Sequence, residues 1–258
     1  MRVRPTVWIG FAVVAMYLAI VVVIQKSSGI AYTDFGDSSA NLWRAPVLSA
    51  AVGSVALVIL TTWLGWWRPA LRERRRTKAR WTIIAPLFTA IAVAGNVATT
   101  TWSALSLEFV VGAVALGVFV GFAEELATRG ALLVGLRSST AEVWVALVTA
   151  LCFGLIHGAN IFLGQSVADT VPQIVQAGLQ GLAFYILRRV TGTLIWAMVL
   201  HGSWDFSLFV QDAAGNDGAW GGLNLVAIVL APIFFWFAAR DAREGTGRRE
   251  SALAEAPA

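Results

Sequence analysis

The chain has 258 residues, of which 58% are hydrophobic and only 13% are charged, with a net charge of +4. In a soluble domain about a quarter of the residues are charged. A soluble chain of this length could not bury so much apolar surface in one core. The composition, which includes a single cysteine, therefore excludes a disordered protein, a disulfide-stabilised scaffold and a typical cytosolic enzyme. It predicts an all-α polytopic membrane protein.

Eight apolar runs approach the length of about 20 helical residues that is needed to cross the ~30 Å hydrocarbon layer of a membrane. In chain order they are predicted at 7–24, 46–67, 81–98, 109–136, 143–163, 173–187, 193–210 and 222–239. The sixth run is the shortest and carries three glutamines, so it is the weakest of the eight. We predict a single membrane domain over 1–258 that ends in a disordered polar tail over 244–258.

The basic residues fall almost entirely in alternate loops. Membrane proteins concentrate Lys and Arg in their cytoplasmic loops. With eight spans, all but three of the 19 basic residues lie on one side together with both termini, and the exceptions are Lys26, Arg44 and Arg129. The pattern predicts a multi-pass protein of the cell membrane with both termini in the cytoplasm. We expect the basic loop 68–80 to contact membrane lipids with anionic headgroups, and we do not expect nucleic acid as a partner.

Several ionisable residues lie inside the predicted spans, where each costs about 2.5–3.5 kcal/mol at a helix centre on insertion scales. Such residues face a cavity or one another, and they mark functional sites by default. They are Glu124, Glu125 and Arg129 in GFAEELATRGALL, His157 in CFGLIHGAN, and His201 and Asp205 in VLHGSWDFS. Each lies in the middle portion of its own run, so three helices can present them at a similar depth.

Helical spacing predicts which of these side chains share a helix face. Glu125 and Arg129 are four residues apart, so they share a helix face and can form an ion pair. Glu124 points about 100° away from Glu125, into a space without a cation from its own helix. The same spacing of four residues places two more pairs on shared faces, namely His201 with Asp205 and Phe153 with His157.

A carboxylate and two imidazoles in a membrane cavity suit a hydrolase. Burial favours the protonated form of a carboxylate, so Glu124 can act as a general base near neutral pH and can activate a water together with His157. His201 and Asp205 can stabilise the oxyanion that forms at an attacked amide. The same residue types can instead bind a divalent metal such as Zn²⁺, and the spacing alone does not decide between these chemistries. The chain has none of the HExxH, GxSG or GxGD motifs, which are typical of other intramembrane proteases.

Three short motifs carry a family resemblance. EELATR matches the pattern EExxxR, FGLIH matches FxxxH, and HGSWD matches HxxxN/D, in this order. The chain therefore resembles the CPBP family (CAAX protease and bacteriocin-processing, also called ABI), which includes the type II CAAX prenyl endopeptidases. The resemblance covers about 109–209 and implies a catalytic core over 109–210, with a catalytic cavity within the helical bundle. It implies an intramembrane endopeptidase whose substrate is a membrane-anchored protein or peptide, prenylated or not.

The resemblance also implies roles for single residues. Glu124 would be the general base assisted by His157, while His201 and Asp205 would form the oxyanion site. Glu125, Arg129 and Phe153 would support them. No cofactor would be required. The alternative is a divalent metal such as Zn²⁺ with Glu124, His157 and His201 as its ligands.

One residue departs from the pattern of the prenyl endopeptidases, which carry Asn where this chain has Asp205. An Asn side chain donates hydrogen bonds at any pH, whereas an ionised Asp only accepts them. We therefore expect Asp205 to be protonated, to act through His201, or to bind a metal.

Two other classes of function fit the same polar residues. The first is a non-catalytic membrane scaffold on the same fold, which would need the Glu125–Arg129 pair but not Glu124. The second is a proton or ion transporter, because intramembrane carboxylates and histidines also form proton relays. The chain shows no internal inverted repeat, which many transporters have.

Overall fold

The computed structural model describes residues 1–74 and 76–254, with side chains described up to Arg240. Eight long helices form in these ranges. They are α1 (Val7–Ser28), α2 (Ser39–Leu64), α3 (Ile84–Thr99), α4 (Leu107–Leu136), α5 (Glu142–Ile156), α6 (Val167–Thr191), α7 (Ile195–Ala213) and α8 (Gly221–Ala254). Most of the tail predicted over 244–258 falls on residues whose side chains the structure does not describe, and 255–258 lie outside the described residues altogether.

Six helical segments are long and apolar enough to span a membrane, which confirms the prediction of an all-α polytopic membrane protein. Within the described residues they are Val7–Ser28, Ser39–Leu64, Arg80–Thr99, Leu107–Leu136, Glu142–Leu163 and Gly221–Arg240. The helices α6 and α7 correspond to the sixth and seventh predicted spans but are not among these six. The count of eight spans therefore stays a prediction.

The helix α4 changes its winding directly after its two glutamates. It is α-helical over Leu107–Glu125, π-helical over Leu126–Leu132 and α-helical again over Leu133–Leu136. The hydroxyl of Ser106 accepts a hydrogen bond from the Phe109 amide at 3.1 Å and so caps the first turn. Short π-helical segments within α-helices occur frequently at functional sites.

The helices α4 and α7 touch backbone to backbone. A Cβ atom on Gly202 would lie 2.1 Å from the carbonyl oxygen of Gly117, and a Cβ on Gly121 would lie 2.4 Å from that of Met198. Only glycine allows this close approach at such positions. The contact brings His201, which precedes Gly202, against the part of α4 that carries the two glutamates.

We expect Gly202→Ala to destabilise the protein by about 1–3 kcal/mol, because the added methyl group must push α7 away from α4. Gly178→Ala is the matched control, since its Cβ would meet its nearest atom at an ordinary 3.6 Å. Thermal unfolding of both variants in detergent checks this prediction. Equal melting temperatures for the two variants would contradict it.

The basic segments of the chain meet at one end of the bundle. The amide of Arg2 donates to the carbonyl oxygen of Leu64 at 3.1 Å, so the start of α1 lies beside the end of α2. The Nε atom of Arg189, in the last turns of α6, donates to the carbonyl oxygen of Ala238 in α8 at 3.2 Å. Since Arg189 also pairs with Glu73 of the loop that follows α2, the start of α1 and this part of α8 lie at one end of the bundle. That this end faces the cytoplasm stays a prediction.

A buried carboxylate holds three arginines at the same end of the bundle. Glu73 Oε1 lies 2.6 Å from Arg188 Nε and 3.1 Å from Arg137 Nη2, while Oε2 lies 3.1 Å from Arg189 Nη1. We call these four residues the Glu73 cluster. Burial alone would raise the pKa of Glu73, but the charges of Arg188, Arg137 and Arg189 lower it to about 2. The cluster joins the loop after α2 to the ends of α4 and α6.

Candidate active site

The candidate site forms where α4 changes from α-helical to π-helical winding. Glu125 and Arg129 are completely buried, and Glu125 Oε2 accepts from Arg129 Nε at 2.9 Å. A second bond joins Glu125 Oε1 to Arg129 Nη2, so the pair is bidentate. The ion pair expected from the spacing of four residues is therefore present. Because this geometry satisfies both carboxylate oxygens, Glu125 is held in one orientation.

His201 lies between three carboxylates. Its Nδ1 atom is 3.2 Å from Glu125 Oε1. Its Nε2 atom is 3.3 Å from Asp205 Oδ2 and 3.9 Å from Glu124 Oε2. An ionised carboxylate can only accept a hydrogen bond, so this surrounding suits an imidazolium ring that donates from both nitrogens. The structure thereby brings Asp205 into contact with His201, one of the arrangements expected for an aspartate at this position.

Aromatic rings fix both histidines. Phe184 stacks on His201 with ring centroids 5.0 Å apart. Phe153 presents its edge or face to both imidazoles, with centroid distances of 5.2 Å to His157 and 5.2 Å to His201. The guanidinium carbon of Arg129 lies 4.0 Å from the centroid of the Phe153 ring, a cation–π contact. Phe153 thus touches three of the polar residues that the sequence singled out.

His157 begins a turn of 3-10 helix, His157–Leu163, directly after α5. Its Nδ1 atom lies 2.9 Å from the carbonyl oxygen of Phe153. A carbonyl oxygen accepts but cannot donate, so Nδ1 carries a proton and Nε2 is the acceptor in the neutral ring. A neutral His157 can therefore accept a hydrogen bond or a proton through Nε2.

Glu124 is the carboxylate of the site that has a buried oxygen without a hydrogen-bond partner among the described residues. Its side chain is 16% exposed, and its Oε2 atom is buried without a hydrogen-bond partner among the described residues. The carboxyl interacts electrostatically with His157, His201 and Asp205. The four residues predicted as catalytic therefore lie in one region of the bundle, contributed by α4, the turn after α5, and α7.

Glu124, His157 and His201 form the alternative set of metal ligands. No group of three His, Cys, Asp or Glu side chains within the described ranges is arranged to hold a metal ion. Both nitrogens of His201 face carboxylates, and Nδ1 of His157 faces a backbone carbonyl. The choice between a glutamate-type and a metal-dependent hydrolase stays a prediction.

Two polar features near the site were missed by the sequence analysis. Tyr17 of α1 is 2% exposed, and its hydroxyl lies near the carboxyl of Glu124. Tyr32 accepts a hydrogen bond from Gln173 Nε2 at 2.8 Å, and Gln173 Oε1 accepts one from Asn160 at 3.0 Å. A tyrosine in an apolar run carries no spacing signal, because it is equally suited to a helix end or to the core.

Two of the three glutamines that weakened the sixth predicted span have partners within the bundle. Gln173 takes part in the contacts just described, and Gln180 Nε2 donates to Thr89 Oγ1 at 3.0 Å. The polar face of α6 is therefore turned in part toward other helices. This explains how a helix of 25 residues can have the low apolar content seen in the sequence.

Comparison with known proteins agrees with the motifs. Residues 106–207 match the family model described as type II CAAX prenyl endopeptidase Rce1-like. No curated protein and no solved structure gives a significant match. The family match confirms the resemblance to the CPBP family and supports an intramembrane endopeptidase of the CAAX type in general. The matched segment runs from the cap of α4 into α7 and contains Glu124, Glu125, Arg129, His157, His201 and Asp205.

Proposed function

Because the segment 106–207 is similar to type II CAAX prenyl endopeptidases, we propose that this protein is an intramembrane endopeptidase. It hydrolyses a peptide bond of a membrane-anchored protein or peptide, prenylated or not, with a water activated by Glu124 and His157. The observation that carries the proposal is the buried Oε2 atom of Glu124, which makes no hydrogen bond among the described residues and lies 3.9 Å from Nε2 of His201. This is the arrangement that a general base requires.

The hydrolytic water binds between Glu124 and Nε2 of His157. Glu124 takes a proton from the water as its oxygen attacks the carbonyl carbon of the scissile bond, which becomes tetrahedral and carries an oxyanion. The proton then passes from Glu124 to the nitrogen of the leaving amine, and the C–N bond breaks. A single carboxyl thus serves first as base and then as acid, with His157 holding the water through its neutral acceptor nitrogen.

His201 stabilises the oxyanion through its Nε2–H group, which turns from Asp205 Oδ2, 3.3 Å away, to the oxyanion as the negative charge develops. Glu125 accepts from Nδ1 at 3.2 Å and Asp205 Oδ2 lies 3.3 Å from Nε2, so both carboxylates favour the charged form of the ring. A charged donor in a site that excludes most water strongly stabilises a developing negative charge. Asp205 therefore acts through His201, and this explains how an aspartate can stand where the prenyl endopeptidases carry asparagine.

The remaining residues keep these groups in place. Arg129 neutralises Glu125, and its guanidinium lies against Phe153, which in turn contacts both imidazoles. Rings held in this way lose little entropy when the transition state forms. The site therefore depends on Phe153 and Arg129 for its geometry although neither residue contacts the scissile bond.

The partners of this reaction are membrane lipids and a substrate tethered to the same membrane. We propose that the protein lies in the cell membrane with both termini in the cytoplasm. The clustering of the basic segments at one end of the bundle supports this orientation, because Lys and Arg are retained on the cytoplasmic side. Nucleic acid has no part in the proposed function.

A panel of prenylated and unprenylated membrane-anchored peptides, incubated with purified protein in detergent or liposomes, tests the proposal. We expect cleavage of at least one peptide to survive exhaustive chelation, because Glu124 and His157 activate the water without a metal. Loss of cleavage on chelation and its recovery with added Zn²⁺ would instead make Glu124, His157 and His201 ligands. A lack of any Glu124-dependent cleavage would favour the scaffold function.

A further inference from the structure

Tyr17, in the middle of α1, lies outside the segment that matches the family model and still reaches the candidate site. The helices α1 and α4 run antiparallel and in close contact. A Cβ on Gly10 would lie 3.0 Å from Leu132 Cα, and a Cβ on Gly135 would lie 2.6 Å from the carbonyl oxygen of Thr6. Since both helices rise by about 1.5 Å per residue, Tyr17, seven residues after Gly10, comes level with the two glutamates of α4.

The ring of Tyr17 is fixed by the neighbouring helix α2. A Cβ on Gly53 would lie 2.7 Å from Tyr17 Cε2 and 2.9 Å from Cδ2, so the aromatic ring rests directly on the backbone of this glycine. The residue is only 2% exposed. Because Tyr17 has just two side-chain torsions and no free space for its ring, its hydroxyl is held in one place.

The hydroxyl of Tyr17 lies near the carboxyl of Glu124 and near that of Asp205. Glu124 is also surrounded by His157, His201 and Arg129. His201 and Arg129 make their closer contacts with other carboxylates. A phenol hydroxyl can donate a hydrogen bond to a carboxylate, and a buried tyrosine hydroxyl usually finds a polar partner.

We propose that Tyr17 is a positioning residue of the active site, whose hydroxyl donates a hydrogen bond to the Glu124 carboxylate. With one carboxylate oxygen held by Tyr17, the other is directed at the hydrolytic water. The first membrane helix then completes a catalytic site whose other groups come from α4, α5 and α7. The catalytic consequence of this bond rests on the proposed function, whereas the bond itself does not.

Tyr17→Phe removes the hydroxyl and keeps the ring on Gly53. We expect kcat to fall by about 10- to 100-fold, the range for a hydrogen bond to a charged group, while KM changes by less than about twofold. The acidic limb of the pH–rate profile should also move to higher pH, because the ionised carboxylate loses a donor. A purely structural role would lower the amount of folded enzyme without moving this limb.

Tyr185→Phe is the matched control. Tyr185 is fully buried, and its hydroxyl donates to Glu142 at 2.7 Å, at the end of the bundle that carries the Glu73 cluster. This variant should keep the kcat and the pH–rate profile of the wild type. The proposal is overturned if Tyr17→Phe retains the wild-type kcat and profile, or if both variants lose activity equally.

An infrared difference spectrum separates this proposal from the proposed function. Subtracting the spectrum of Glu124→Gln from that of the wild type isolates the carboxyl bands of Glu124, whether or not a peptide is cleaved. We expect the same bands to be shifted in the Tyr17→Phe background and unshifted in the Tyr185→Phe background. Unshifted bands in Tyr17→Phe would overturn the proposed hydrogen bond even if Glu124-dependent cleavage is observed.

Discussion

Glu124→Gln is expected to lower the rate of peptide cleavage by at least about 1,000-fold, the upper part of the range for general acid–base catalysis. Glutamine keeps the size and shape of the side chain but cannot accept the proton of the attacking water. The protein should still fold, because Glu124 takes no part in the bidentate ion pair between Glu125 and Arg129. Steady-state cleavage of the best peptide of the panel, with the melting temperature measured in parallel, checks both expectations.

Glu108→Gln is the control for this substitution. Glu108 lies in the first turn of the same helix, α4, and its side chain is exposed at the far end from the site. Its replacement should leave the cleavage rate within about twofold of the wild type. A Glu124→Gln protein that cleaves at the wild-type rate would remove Glu124 from the chemistry and with it the proposed reaction.

Glu73→Gln is expected to destabilise the protein by about 3 kcal/mol near neutral pH. The substitution leaves Arg137, Arg188 and Arg189 close together without their shared carboxylate, and breaking a buried ion pair from one side commonly costs 3–5 kcal/mol. The pKa of Glu73 indicates a stabilisation of the same size, because lowering this pKa from 4.5 to about 2 corresponds to about 3 kcal/mol of folding free energy. Unfolding in detergent with increasing denaturant measures the difference between wild type and variant.

The pH dependence of this difference has a definite sign. The pKa of Glu73 is lower in the folded protein than the ordinary value of 4.5, so the stabilisation is complete above about pH 4.5. It is lost as the pH falls toward 2, where the folded protein also binds the proton. The gap between wild type and Glu73→Gln should therefore narrow as the pH falls from 4.5 to 2. A gap that stays constant over this interval would show that the charge of Glu73 does not carry the stabilisation.

Local spacing predicted the parts of the site that lie within one helix. The pairs Glu125–Arg129 and His201–Asp205 are each four residues apart, and the structure shows both in contact. This success has a simple reason, because the helical repeat alone fixes which side chains share a face. The approximate position of the spans followed equally from the lengths of the apolar runs.

Spacing along the sequence could not predict the contacts between different helices. The bond between His201 and Glu125 joins residues 76 positions apart and depends on the close approach of Gly117 and Gly202. Small residues in a span indicate that some helix can come near, but not which one or in what register. The same limit hid Tyr17, whose position depends on the antiparallel register of α1 against α4.

The sequence also gave no sign of the π-helical segment or of the buried state of two arginines. The sequence predicts a loop at Arg188 and Arg189, between the sixth and seventh apolar runs, because positive charges usually lie outside the membrane. In the structure they form part of α6 and are 0% and 4% exposed. Their burial depends on Glu73, which comes from a loop more than a hundred residues earlier in the chain.

Arg188 connects the basic loop 68–80 directly to α4, the helix that carries Glu124. Its guanidinium donates through Nη2 to the carbonyl oxygen of Pro69 at 3.0 Å, and through Nη1 to that of Arg129 at 2.6 Å. The first carbonyl belongs to the short helix Trp67–Leu71, and the second belongs to the π-helical segment beside the active site. We therefore expect a tag, crosslink or deletion in this loop to displace α4, the helix that carries Glu124. The loop is unsuitable for changes that must leave the active site unaltered.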